Sequence, residues 1–183
     1  TLDGLIKSGK IRHAGLSNET AWGTLKYLRL SEEKKLPRMA SIQNEYSLLC
    51  RRFEPELQEA AQSEDIGLLA WSPLATGMLS GKYLDGARPS GTRWTLLPGK
   101  ISRDTPKAQE AVRAYIGVGK KHGLDVCQMA LAFVNSRPFV TSNIIGATNM
   151  EQLRSNIDSI NLNLSQDILN DIATVRRDYP LPY

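Results

Sequence analysis

The sequence is poor in groups that usually announce a function. It holds 2 cysteines and 2 histidines in 183 residues. Cys50 and Cys127 are far apart, with no CxxC and no Cys/His cluster, so neither a disulfide framework nor a zinc site is signalled, and a reducing cytoplasm is expected. No run approaches the ~18 apolar residues of a membrane helix. No basic stretch followed by an apolar one opens the chain, so no secretory leader is expected. The GxGxxG of a doubly wound dinucleotide fold is missing too. Aromatics are few, at 7%, and the charge excess is only +4. That excess is scattered in pairs, Lys34-Lys35, Arg51-Arg52, Lys120-Lys121 and Arg176-Arg177, rather than drawn into a stripe. Without a reading motif beside them these pairs imply solvated surface, and neither nucleic acid nor membrane is expected as a partner.

What is present is an ordinary globular balance, 41% apolar and 23% charged, in a chain of one-domain length. Strand and helix patterns alternate. Strands are expected at Ile11–Leu16, Met39–Ile42, Gly67–Trp71 and Ser142–Ile145. Helices are expected at about Thr20–Leu30, Phe53–Ser63, Lys107–Lys121, Val126–Asn135 and Met150–Ile160, with Ser165 capping a last one to Arg176. Gly123 separates two of these as a C-cap, and the near-unbroken apolar run at Gly67–Trp71 reads as a strand covered on both faces. A Gly/Pro-rich loop over 72–106 is expected to fold over a ligand. Leu2, Leu5 and Ile6, stopped by Gly9, read as the tail of a longer helix, which suggests a fragment.

Four strand-helix units are half of an eightfold (βα) barrel of roughly 250 residues, and the alternation argues for a parallel sheet. Half a barrel leaves two exposed strand edges, which invite pairing with another half or a second copy.

Polar and unusual residues recur at the C-terminal end of each strand, the active face of barrels. These are Ser17-Asn18, Gln43-Asn44-Glu45-Tyr46, Trp71-Ser72-Pro73-Leu74 and Gly146-Ala147-Thr148-Asn149. Each has a plainer reading. Ser17-Asn18 would cap a helix, Gln43 would be a satisfied buried amide, Trp71 would fill core, and Gly146–Thr148 would be a helix-start turn. The ligand readings are that Trp71 stacks on a flat aromatic group, and that Gly146–Thr148 presents backbone N–H groups to a phosphate. Trp94 either lines a substrate pocket or anchors the long loop.

Four ordered blocks carry a resemblance. They are Gly9-Lys10-Ile11-Arg12-His13-Ala14-Gly15-Leu16-Ser17-Asn18, then Ile42-Gln43-Asn44-Glu45-Tyr46-Ser47. Trp71-Ser72-Pro73-Leu74-Ala75 with Gly77 and Gly81-Lys82-Tyr83 follows, and Ile145-Gly146-Ala147-Thr148 with Glu151-Gln152-Leu153 and Asn156 closes the series. Together they resemble the C-terminal half of the aldo-keto reductases, in the branch that holds bacterial reductases and potassium-channel β subunits.

The resemblance implies a (βα)8 TIM-barrel-type fold, of which this chain is about the last four βα units plus a C-terminal helix, read as one domain over 1–183. It implies NADP(H) as cofactor and a small-molecule carbonyl as substrate, with NADPH-dependent reduction of aldehydes or ketones in the complete protein. A non-catalytic NADP(H)-binding module or redox-sensing subunit is the alternative. By motif, Ser17, Asn18 and Gln43 would bond the nicotinamide carboxamide, and Trp71 would stack on its ring. Ser72, Pro73, Leu74 and Gly77 belong to the block along the pyrophosphate, where Lys82 adds charge. Gly146, Thr148, Gln152 and Asn156 would hold the adenosine 2′-phosphate end. Some branches place Lys or Arg around that phosphate, where this chain has Gly146 and Gln152.

No catalytic residue is expected here. The family's Asp/Tyr/Lys/His set lies on the first four strands, before this chain begins. His13 lies in the first strand away from the active face, and His122 in a helix's last turn. Tyr46 has no Lys or Asp at matching spacing to lower its pKa, so packing is its expected role.

Overall fold

The structure is a computed structural model and describes residues 1–97 and 102–183. Four parallel strands form one sheet: β1 (Ala14–Ser17), β2 (Met39–Glu45), β3 (Gly67–Trp71) and β4 (Val140–Ile144), ordered β1-β2-β3-β4. This order separates the two parallel architectures. A doubly wound sheet reverses its strand order at a switch point, whereas a barrel runs on in sequence. Here it runs on, as in half of a (βα)8 barrel.

The helices start where local chemistry dictates. Thr20 caps α2 (Ala21–Glu33) by accepting from the Gly23 N–H. α3 (Glu56–Ser63) follows β2. Thr105 caps α5 (Pro106–Lys121), which has proline at its first position, where an N–H would have no helical partner. Asp125 caps α6 (Val126–Asn135), Asn149 caps α7 (Met150–Asp158) and Ser165 caps α8 (Gln166–Asp178). Two short helices complete the set, α1 (Leu2–Lys7) and α4 (Arg93–Leu96). Gly123 turns the chain from α5 into α6 at a φ of 68°, a conformation that suits glycine.

The core lies between the sheet and its helices. Ile42, Leu68 and Ala70 point into it and are fully buried. α6 is its centre, with Met129 to Val134 all buried. Tyr46, Phe53, Phe133 and Phe139 form an aromatic cluster in this layer, with centroid separations of 5.3–6.4 Å.

Several expectations need correction. β1 begins at Ala14 rather than Ile11, so His13 precedes the strand. β2 extends to Glu45, carried by its ladder with β3, so Gln43 and Asn44 lie within the strand. β3 is covered on one face only. Its residues alternate between buried and half-buried, because the helices pack on one side of the sheet. Most of the loop over 72–106 is folded. It contains 3-10 turns at Ala75–Ser80 and Leu84–Gly86, and then α4. Residues 98–101 of that loop lie outside the described residues. Large exposed apolar side chains gather at the flanks of the sheet. Trp22, Leu25 and Tyr27 lie on α2, and Ile144, Met150, Ile157 and Ile160 on and after β4. No helix among the described residues is long and apolar enough to cross a membrane.

Candidate cofactor site at the strand ends

The ladder brings the polar strand ends together. Ser17 pairs with Gln43, and Glu45 with Trp71, while Trp71 pairs on its other side with Ile144. Ser17, Asn18 and Gln43 are exposed, so Gln43 is not the satisfied buried amide of the plainer reading. Ser17 and Asn18 do not cap α2 either, because Thr20 does. Asn18 instead reaches across the sheet, where its Oδ1 accepts from Trp71 Nε1 at 3.1 Å. Trp71 is only half-buried, so it is not core filler. Asn44 ties the same edge from below: its Oδ1 accepts from the Glu19 N–H, and its Nδ2 donates to the Glu19 carbonyl.

Backbone strain concentrates here. Asn18, Ser72, Ala75 and Thr76 all have left-handed φ, between 49° and 59°. Each such non-glycine residue costs about 1–2 kcal/mol, and surroundings that over-determine it are typical of ligand sites. Gly77, at a φ of 93°, requires glycine. A Cβ there would also come within 3.3 Å of Lys82 Nζ, so the glycine lets the ammonium lie against the turn. Lys82 is exposed and sits over the Tyr83 ring at 5.3 Å. Pro73 is buried, and Ser72 and Leu74 are half-buried beside it.

Trp94 resolves as an anchor. It is buried, stacks on Tyr83 at 4.1 Å, and donates to Thr76 Oγ1 at 3.1 Å. Its ring therefore closes the turn that carries Ser72 to Lys82.

The β4 end is built differently. Gly146, Thr148 and Gln152 are exposed at the start of α7, and a Cβ on Gly146 would meet nothing. Gln152 Oε1 accepts from both the N–H and the Oγ1 of Thr148, at 3.0 and 3.1 Å. Asn156 is buried and donates to the Gly146 carbonyl at 3.1 Å. The helix-start geometry is thus present, held by bonds within eleven residues. Gln152 and Asn156 spend polar atoms on the turn itself.

Sequence reasoning missed a cluster beside Trp71. Glu45 Oε1 accepts from Arg103 Nε and from the Tyr183 hydroxyl, each at 2.9 Å, and lies 2.8 Å from Arg103 Nη2 as its ion-pair partner. The Arg103 guanidinium lies 5.6 Å from the Trp71 ring centroid and 5.5 Å from that of Tyr183. Burial opposes the Arg103 charge most, but Glu45 and Tyr183 together outweigh it and hold the guanidinium above its ordinary pKa. Burial, then the Glu45 charge, pushes the Tyr183 hydroxyl up. No sequence signal links residues 45, 103 and 183, because only the fold joins them.

Tyr46 has the packing role expected of it. It is fully buried, its hydroxyl donates to Glu54, and burial first and Glu54 second push its pKa up, the wrong direction for a proton donor at neutral pH. His122 ends α5 and meets Asp171 at 2.6 Å, away from the strand ends. No group of three or more metal-ligating side chains occurs among the described residues.

Comparison with known proteins agrees with the barrel-like sheet order. The model of the Aldo/keto reductase family matches residues 1–177. Protein tas of Escherichia coli (strain K12) is 49% identical over 100% of this chain and 54% of its own length. The L-glyceraldehyde 3-phosphate reductase of the same organism is 33% identical over 85% of this chain and 46% of its own. A putative voltage-gated potassium channel subunit beta of Schizosaccharomyces pombe is 31% identical over 97% and 54%. The chain spans about half the length of the curated relatives it matches. It belongs to the aldo/keto reductase family.

Proposed function

We propose that this chain supplies much of an NADP(H) site to a barrel that reduces aldehydes or ketones to alcohols, in a reducing cytoplasm where Cys50 and Cys127 stay free. The observation that carries this reading is the Trp71–Asn18 bond at the strand ends. It fixes the indole N–H while the side chain stays only half-buried, as a stacking platform for a flat ring requires. NADPH, when bound, supplies the hydride. Ser17, Asn18 and Gln43 orient the carboxamide, Trp71 orients the ring, and Ser72, Pro73, Leu74, Gly77 and Lys82 follow the diphosphate. Gly146, Thr148, Gln152 and Asn156 take the adenosine end. With no cation at Gly146 or Gln152, preference for NADPH over NADH is modest.

Among the described residues this face carries no side chain tuned as a general acid, and the chain on its own is expected to have no turnover. Its two exposed sheet edges, flanked by apolar side chains, pair with a further half-barrel or a second copy. The second reading, a redox-sensing subunit without turnover, draws on the potassium-channel relative.

The test is NADPH titration of the purified chain by fluorescence, repeated with NADH and with Trp71→Ala. Saturable binding weakened at least ~10-fold by the substitution, about 1.4 kcal/mol, is expected. Binding unaffected by Trp71→Ala sinks the assignment. Carbonyl-dependent NADPH oxidation by the chain alone, surviving Tyr46→Phe, sinks the claim of no turnover.

A further inference from the structure

Trp71 is held from two directions. One hold is Asn18, at the edge of its indole. The other comes from residues remote in sequence. Arg103 lies between the Trp71 and Tyr183 rings and is fixed by Glu45, whose Oε1 also accepts the Tyr183 hydroxyl. The Arg103 and Glu45 side chains are only 14% and 17% exposed, so the pair is screened little by solvent.

Tyr183 is itself fastened. Arg52 donates to its carbonyl at 2.8 Å, Thr105 Oγ1 donates to the Pro182 carbonyl, and Arg176 donates to the Pro180 carbonyl at 2.7 Å. Thr105 is also the cap of α5, two residues after Arg103. One short stretch, Arg103–Thr105, therefore grips both Trp71 and the 180–183 segment.

We propose that Glu45, Arg103 and Tyr183 form a latch in which Arg103 is a positioning residue for Trp71, tying the 72–106 loop and the 180–183 segment to the orientation of the stacking ring. The chemistry is additive in kind. A guanidinium beside an indole gains cation–π attraction. Its Nε–H donates to the Glu45 carboxylate, and the same oxygen is the counter-charge 2.8 Å from Nη2. The tyrosine hydroxyl donates to the same oxygen, and its ring is a second aromatic group against the guanidinium. With the latch closed, the indole cannot tilt towards the loop. With it open, only the Asn18 bond remains. The inference rests on the proposed cofactor reading only for what Trp71 stacks upon; the latch is a property of the chain without ligand.

The experiment labels the chain with 5-fluorotryptophan, which gives three resonances for Trp22, Trp71 and Trp94, assigned by single Trp→Phe variants. Arg103→Met is expected to shift or broaden the Trp71 resonance and leave Trp22 in place. Tyr183→Phe, which removes one hydroxyl and is the mildest change, shifts Trp71 in the same direction by less. Arg103→Lys keeps the charge but not the fork, and recovers only part of the wild-type shift. A Trp71 resonance unmoved by both Arg103→Met and Tyr183→Phe, in chains of wild-type circular dichroism, overturns the latch. If Arg103→Met does not fold, Tyr183→Phe alone decides. The same variants are titrated with NADPH, where Arg103→Met is expected to weaken binding ~5–10-fold. A wild-type chain that binds no NADPH counts against the cofactor reading and leaves the resonance test of the latch intact.

Discussion

The two ends of the candidate site are made in opposite ways. At the β1–β3 end the frame is tied by residues far along the chain: Asn18 by Trp71, Asn44 by the Glu19 backbone, and Glu45 by Arg103 and Tyr183. At the β4 end the bonds that hold the helix-start turn are local, Thr148 to Gln152, Asn149 to Gln152 and Gly146 to Asn156. The first end also carries the left-handed residues Asn18, Ser72, Ala75 and Thr76, and the second carries none. A ring that must present one face needs a rigid, non-local frame. A phosphate needs only free N–H groups at a helix start, which a local turn provides.

The comparison can be broken most forcefully beneath the β1–β3 end. Glu54 receives both the Tyr46 hydroxyl and Arg51, in a pair whose side chains are 14% and 19% exposed. Glu54→Ala strands a buried guanidinium and is expected to cost about 3 kcal/mol in urea unfolding. A cost under about 1 kcal/mol contradicts a tightly built frame.

A second probe is Cys127, on α6. Burial first, then the Asp125 charge, raise its thiol from the ordinary 9.0 to about 11, with Lys82 opposing. The native thiolate at pH 8 is then ~100-fold scarcer than in the unfolded chain, and alkylation slows accordingly. The folded pKa is the higher one. This contribution to stability is therefore full below pH 9 and is lost as pH rises towards about 11. Equal alkylation rates in buffer and in urea refute the burial of α6 at that position.

The smallest effect belongs to the local end. Asn149→Ala removes the cap of α7 and is expected to cost about 1 kcal/mol. Faster amide exchange should be confined to the first turn of α7. Spread of that exchange to Trp71 or Asn18 abolishes the distinction between the two ends.

The same contrast governs what was legible. The β4 end could be read directly, because a cap and the turn before it lie within a few residues: Met150 as the helix start matches α7. Gly67–Trp71 and Val126–Asn135 likewise match β3 and α6. The limits of β1, β2 and β4 were misjudged, since a strand ends where its neighbour's ladder ends, and that is a tertiary fact. Trp94 was undecidable from its neighbours in sequence, and packing on Tyr83 settled it as an anchor. The Glu45–Arg103–Tyr183 cluster spans 138 residues and left no periodic trace.

By itself, then, the sequence determined the alternation of strands and helices, the Ser165 cap of the last helix, and the four motif blocks. These are short-range properties of composition, periodicity and spacing. Only the tertiary structure decided that the strands run in order like a barrel's, that Asn18 is spent on Trp71 rather than on a cap, and that Arg103 and Tyr183 meet at Glu45. Each of those depends on contacts between distant segments, which hydrogen bonding and packing select after the chain has folded.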